Sequence, residues 1–150
     1  MNLNCNQDYI TGVLQDLVRI NSTNPTLHRD NAGEEHIASY LASRCADIGL
    51  EVALYEVAEG RMNVVGTLAG SGEGPSLMLN GHMDTVGIDG MINPFGGENI
   101  GGRLYGSGAQ DMKGSLAAML GVAKSIIDTG IELRGDLHQA FVVDEETLSI

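Results

Sequence analysis

The apolar run Ala140-Phe141-Val142-Val143 leads without a break into Asp144-Glu145-Glu146. Leu137 to Val143 is expected to be a buried strand, and adjacent carboxylates at its end repel one another unless cations or a proton compensate them. A second apolar run, Leu77-Met78-Leu79, leads in the same way through Asn80 and Gly81 into His82-Met83-Asp84. In open α/β sheets, sites form outside the carboxyl ends of strands, and both His82 and Glu145 are expected there.

The rest of the pattern supplies the layers. Ile10, Val13, Leu14, Leu17 and Val18 recur at helical spacing and give way at Asn21-Ser22-Thr23-Asn24-Pro25. A second helix fits residues 33–48, where Ile37, Leu41, Cys45 and Ile48 share a face and Gly49 supplies the stop. Two strand-like segments, 51–57 and 63–68, flank Glu59-Gly60-Arg61 in the manner of a hairpin. Leu77-Met78-Leu79, apolar on both faces, reads as a strand inside a sheet covered by helices. Residues 87–102 hold six glycines and Pro94, which predicts a long surface loop of the kind that borders active sites. Leu116, Met119, Leu120, Ala123, Ile126 and Ile127 define a third helix that starts just after Asp111 and closes near Gly130. This order predicts an α/β fold, a three-layer sandwich with a mixed, mostly parallel sheet. A length of 150 residues suits one domain.

Charge and cysteine content narrow the function. A formal net charge of −12 repels phosphate backbones and anionic membranes, so neither nucleic acid nor membrane is an expected partner. Cys5 and Cys45 form no C-x-x-C unit and indicate neither a disulfide framework nor a zinc knuckle. Residues 1–8 lack a basic start followed by an apolar run, and the expected location is the cytoplasm.

Each polar motif has a plain alternative. In extended chain, His82 and Asp84 point the same way, and a carboxylate beside an imidazole fixes its tautomer for metal binding. A surface hydrogen bond at a strand end would look the same. Asp111 precedes a helix, where its ordinary job is to cap free N–H groups. The glycines at 106, 108 and 114 suggest a phosphate loop, yet G-x-x-x-x-G-K-[ST] has no match and the G-x-G lacks its third glycine. Glu145 and Glu146 face opposite sides in extended chain, so one can meet a metal and the other substrate or water; alternatively they form an exposed acidic turn. His28, His36 and His138 read as structural or exposed.

Taken in order, residues 77–86, residues 104–114 and Asp144-Glu145-Glu146 resemble the motifs of the metallopeptidase family of acetylornithine deacetylase, succinyl-diaminopimelate desuccinylase, aminoacylase and carboxypeptidase G. Asn24-Pro25 and Asn93-Pro94-Phe95 resemble that family's loops. The resemblance covers residues 1–150 as the N-terminal portion of the catalytic domain, with the lid and dimerisation domain and the C-terminal part of the catalytic domain absent. It implies two divalent metal ions, zinc foremost with cobalt or manganese as substitutes. His82 would bind one ion, Asp111 would bridge both and Glu146 would bind the second. Asp84 would orient His82, and Glu145 would be the general base. The Asp111-Met112 peptide would be cis.

The implied activity is hydrolysis of an amide bond in an N-acyl amino acid or small peptide, the small-molecule partner expected. A dimer is expected only of a full-length form. Ser107 departs from the arginine that many relatives carry there, and Thr147-Leu148-Ser149-Ile150 departs from the glycine-containing continuation usual in the family. The family's further acidic ligand and its last histidine fall beyond these residues, which predicts weak metal binding and little turnover. The same motifs admit a non-catalytic metal- or partner-binding fragment of the same fold.

Overall fold

The computed structural model describes residues 4–27 and 33–147. Helix α1, Gln7–Arg19, begins at Asn6, whose side chain accepts from the Tyr9 amide at 3.0 Å and so satisfies one free donor of the first turn. Its Val13, Leu17 and Val18 are buried. Helix α2 spans Glu35–Asp47 and buries Ile37, Ala38, Leu41 and Cys45. Helix α3 spans Gly114–Thr129 and ends on Gly130, whose φ of 65° lets its N–H cap the carbonyls of Ile126 and Ile127. The three helical repeats seen in the sequence are therefore real. No helix of the described residues is long and apolar enough to cross a membrane.

Strands β1 (Glu51–Ala58) and β2 (Arg61–Leu68) form the expected hairpin, turning at Glu59-Gly60. Strand β3 is Leu77–His82; β4 (Glu98–Ile100) and β5 (Arg103–Tyr105) form a separate two-stranded sheet; β6 is Leu137–Val142. The main sheet has the order β1-β2-β6-β3. It is mixed, as expected, but not mostly parallel: β1 with β2 and β2 with β6 are antiparallel, and only β3 with β6 is parallel. The hairpin makes one antiparallel contact, and insertion of β6 beside β2 makes the second. Only the β3-to-β6 connection, which returns through α3, gives parallel strands.

Register decides which face is covered. Gly66, Gln139 and Leu79 lie abreast, as do Val64, Phe141 and Gly81. A Cβ on Gly66 would come within 2.8 Å of Cys45 in α2, and one on Gly81 within 2.7 Å of Leu116 in α3. Gln139 donates to the Met119 carbonyl of α3 at 2.6 Å. Helices α2 and α3 thus pack on one face, with α1 joining the same core of Val13, Leu17, Leu41, Leu116, Leu120, Val64 and Phe141. No helix among the described residues covers the other face, so two of the three expected layers are present in them. Met78, which points there, is 57% exposed, in contrast to the buried strand its apolar neighbours predict. The loop expected over 87–102 also ends differently, because its last residues pair as β4 with β5 around Gly101 and Gly102.

Cys45 lies wholly inside this core, and burial pushes its thiol up to about 12, whereas Cys5 is exposed. A disulfide reagent that needs the thiolate is expected to titrate one thiol per native chain and a second only in denaturant. Two thiols reacting at equal rates in the native protein would show that α2 does not pack against Gly66.

Candidate metal centre

Because β3 and β6 are parallel and His82 pairs with Val142, the two strands end side by side. Met83 continues the pairing through its amide to the Val142 carbonyl, 2.8 Å. Asp144 then adopts a left-handed φ of 69°, and Glu145–Thr147 form a single helical turn. The third segment arrives through Gly108, whose φ of 73° suits glycine and whose Cα sits so close to Thr85 that a Cβ would lie 2.6 Å from that side chain. It continues through a cis Asp111-Met112 peptide into α3, the isomer the family resemblance implies. Asp111 does not cap α3: Lys113 holds the N-cap position, no side chain among the described residues accepts from the first turn, and the Asp111 side chain, 80% exposed, reaches His82 instead.

His82 Nε2 lies 3.2 Å from Asp111 Oδ1 and 3.7 Å from Glu145 Oε2. One ligand atom each from His82, Glu145 and Glu146 lie within 4.8 Å of one another. Two ligands of a tetrahedral zinc at about 2.0–2.1 Å stand roughly 3.3 Å apart, so the His82–Asp111 separation fits a shared cation. His82 Nδ1 is 3.0 Å from the Asp84 carbonyl oxygen, to which it can donate, leaving Nε2 directed at the carboxylates. All five residues singled out in the sequence are thus within one small region.

Charge in this region is unbalanced. The Asp84 side chain, aided by its backbone carbonyl and by Asp111, raises the His82 pKa to about 9 against the opposing effect of burial. Burial also raises the Glu146 pKa, and repulsion from Asp111, Asp84 and Glu145 adds to it. A single imidazole thus faces four carboxyl groups, an arrangement that favours added cations.

Asp84 does more than the sequence implied. Burial alone would raise its pKa, but hydrogen bonds from His82, Asn24 and the Glu146 and Glu145 amides bring it down to about 2. Its Oδ1 accepts from Glu145 N at 3.2 Å, and its Oδ2 from Glu146 N at 3.0 Å and Asn24 Nδ2 at 2.7 Å. It therefore grips the turn that carries both glutamates as well as standing beside His82.

Four residues of this region received no role from the sequence: Asn24, Glu34, Arg61 and Asp144. Asn24 stood out only as part of a family-like loop, Arg61 only as a turn residue and Asp144 only as the first of three acids. Glu34 carried no signal at all. Of the other histidines, His36 is exposed, and His138 Nδ1 lies 2.9 Å from Thr67 Oγ1. His28 and residues 148–150 lie outside the described residues.

Comparison with known proteins gives the same picture. Residues 78–149, which span all three motifs, match the family model described as peptidase family M20/M25/M40. The N-formyl-4-amino-5-aminomethyl-2-methylpyrimidine deformylase of Bacillus subtilis (strain 168) is 37% identical over 118 residues, covering 75% of this chain and 28% of that protein. The acetylornithine deacetylase of Aliivibrio fischeri (strain MJ11) is 38% identical over 115 residues, covering 75% of this chain and 30% of its own length. Human carnosine dipeptidase 1 shares the fold with a TM-score of 0.79 at 21% identity, over 96% of this chain and 33% of that one. A tripeptidase from Staphylococcus aureus subsp. aureus Mu50 matches with a TM-score of 0.73 at 27% identity, over 95% of this chain and 38% of that one. The chain thus spans about a third of the length of the curated relatives it matches. With the motifs in order, their side chains gathered at the ends of β3 and β6, and relatives alike in sequence and fold, the chain is similar to peptidase family M20/M25/M40 over residues 78–149.

Proposed function

We propose that these residues form the N-terminal part of a metal-dependent hydrolase that cleaves the amide bond of an N-acyl amino acid or small peptide. The observation that carries this reading is the convergence of His82 Nε2 with the carboxylates of Asp111, Glu145 and Glu146 at the ends of two parallel strands. The relatives named as a deacetylase, a deformylase, a dipeptidase and a tripeptidase support the substrate class. Zinc suits a mixed imidazole and carboxylate set, and a Zn-dependent exopeptidase from Parabacteroides distasonis shares the fold.

In this reading His82 and Glu146 would each help to hold one of two divalent ions, with Asp111 shared between them. When bound, the ions supply a more acidic water and polarise the scissile carbonyl. Glu145, its side chain 58% exposed, takes the proton of the attacking water and passes it to the leaving nitrogen. Asp84 keeps Nε2 aimed at the carboxylates and holds the turn that presents both glutamates. The open exposure of Asp111 and Glu145 favours weak ion binding and slow turnover by these residues alone.

Titration with zinc or cobalt, followed by assays on N-acetyl amino acids and dipeptides, tests the proposal. Glu145→Gln is expected to retain metal and lose hydrolysis by about 10²-fold or more, the scale of a general-base contribution. His82→Ala is expected to lose metal binding itself. Full hydrolysis by E145Q would remove the base role, and undiminished metal binding by H82A would remove the metal centre.

A further inference from the structure

Behind the glutamate turn lies an ionic cluster to which the proposed reaction assigns no part. Arg61, the first residue of β2, divides its guanidinium between two acids. Nε donates to Glu34 Oε2 at 3.0 Å and Nη2 donates to the other Glu34 oxygen, while Nη1 donates to Asp144 Oδ1 at 2.8 Å. The Glu34 side chain is fully buried just before α2. Asp144 Oδ1 also accepts from Asn24 Nδ2 at 3.0 Å and from Thr147 Oγ1 at 3.0 Å. The same Asn24 nitrogen donates to Asp84 Oδ2, and Asp84 takes the amides of Glu145 and Glu146. An unbroken line of hydrogen bonds therefore runs from Glu34 through Arg61, Asp144, Asn24 and Asp84 to the backbone of the two glutamates.

The backbone at Asp144 explains why that line matters. A non-glycine residue at φ 69° sits in the left-handed region that aspartate tolerates when its short side chain is locally bonded. The turn at this residue swings the next two N–H groups toward Asp84. An arginine used only to neutralise Glu34 would spend its whole fork there. This one spans two carboxylates from distant segments, which the single ammonium of lysine cannot do with the same planar geometry.

We propose that Arg61 is a positioning residue for Glu145 and Glu146: by dividing its fork between Glu34 and Asp144 it fixes the left-handed turn, and so sets where both glutamate side chains face His82. Its consequence for metal rests on the function proposed above, whereas its effect on the turn rests on the geometry of the cluster.

Two variants and two readouts test this. In E34M/R61M the buried pair is replaced by apolar side chains of similar volume, and Asp144 keeps only its neutral donors Asn24 and Thr147. R61K keeps a charge beside Glu34 and carries the test if the double variant fails to fold. In the metal-free protein, amide hydrogen exchange at Glu145 and Glu146 is expected to accelerate at least about tenfold while α3 stays protected. Cobalt affinity, titrated with cobalt chloride, is expected to fall about 10–100-fold, with R61K the milder of the two. Parent-like exchange at both amides in either folded variant, or parent-like cobalt affinity where the parent binds cobalt, would overturn the positioning role. Accelerated exchange in variants of a parent chain that itself binds no cobalt would sustain the role of Arg61 in the turn and overturn the metal-hydrolase reading.

Discussion

Asp84→Asn is expected to destabilise the protein by about 3 kcal/mol and to weaken metal binding about 10–100-fold, although it changes only one oxygen to nitrogen. The wild-type carboxylate is wholly buried and, besides facing His82, accepts from the Glu145 amide on one oxygen and from the Glu146 amide and Asn24 on the other. An asparagine has one acceptor oxygen, so its amide nitrogen must oppose at least one N–H. That leaves a buried donor unsatisfied and releases the glutamate turn. Urea unfolding and cobalt titration of the variant measure the two effects. A midpoint and an affinity within error of the parent would show that the Glu145 and Glu146 amides are held by something other than Asp84.

Phe141→Ala is expected to cost about 3–5 kcal/mol, a large part of the roughly 5–15 kcal/mol that stabilises a domain of this kind. Phe141 is completely buried in β6, abreast of Val64 in β2 and of Gly81 in β3. Neighbours on both sides are backbone-anchored strand residues, so the space left by the ring closes only partly. Because β6 also delivers Asp144 and the glutamates, the same change is expected to lower metal affinity. Phe141→Leu, which keeps most of the volume, should show a smaller loss of each. Equal stability of the alanine variant and the parent would place Phe141 outside the core.

The two strand ends were legible because apolar runs and the acids after them are local in sequence. The hairpin at Gly60 and the stop at Gly130 were legible for the same reason, since each depends on a few neighbouring residues. The exposure of Met78 was not. Its apolar neighbours fit a strand covered on both faces, but coverage depends on which helices pack against each face, and α2 and α3 both chose the other one. Strand order was equally hidden. Nothing near residues 137–142 says that they pair with 64–68 on one side and 77–82 on the other.

The same division runs through the candidate site. His82, Asp111, Glu145 and Glu146 could be singled out from the sequence because their short motifs, taken in order, resemble those of a known metallopeptidase family; taken one at a time, each motif had a plain alternative. That Asp84 grips the glutamate turn, and that Asn24, Glu34 and Arg61 stand behind it, emerged only from the tertiary structure. Hydrogen bonds such as Asn24 to Asp144 join residues 120 positions apart, and no local pattern encodes a contact made by packing separate elements together. Sequence alone determined which imidazole and carboxyl side chains are candidates for a cation and which segments carry them; the fold decided how far apart they stand and what holds them there.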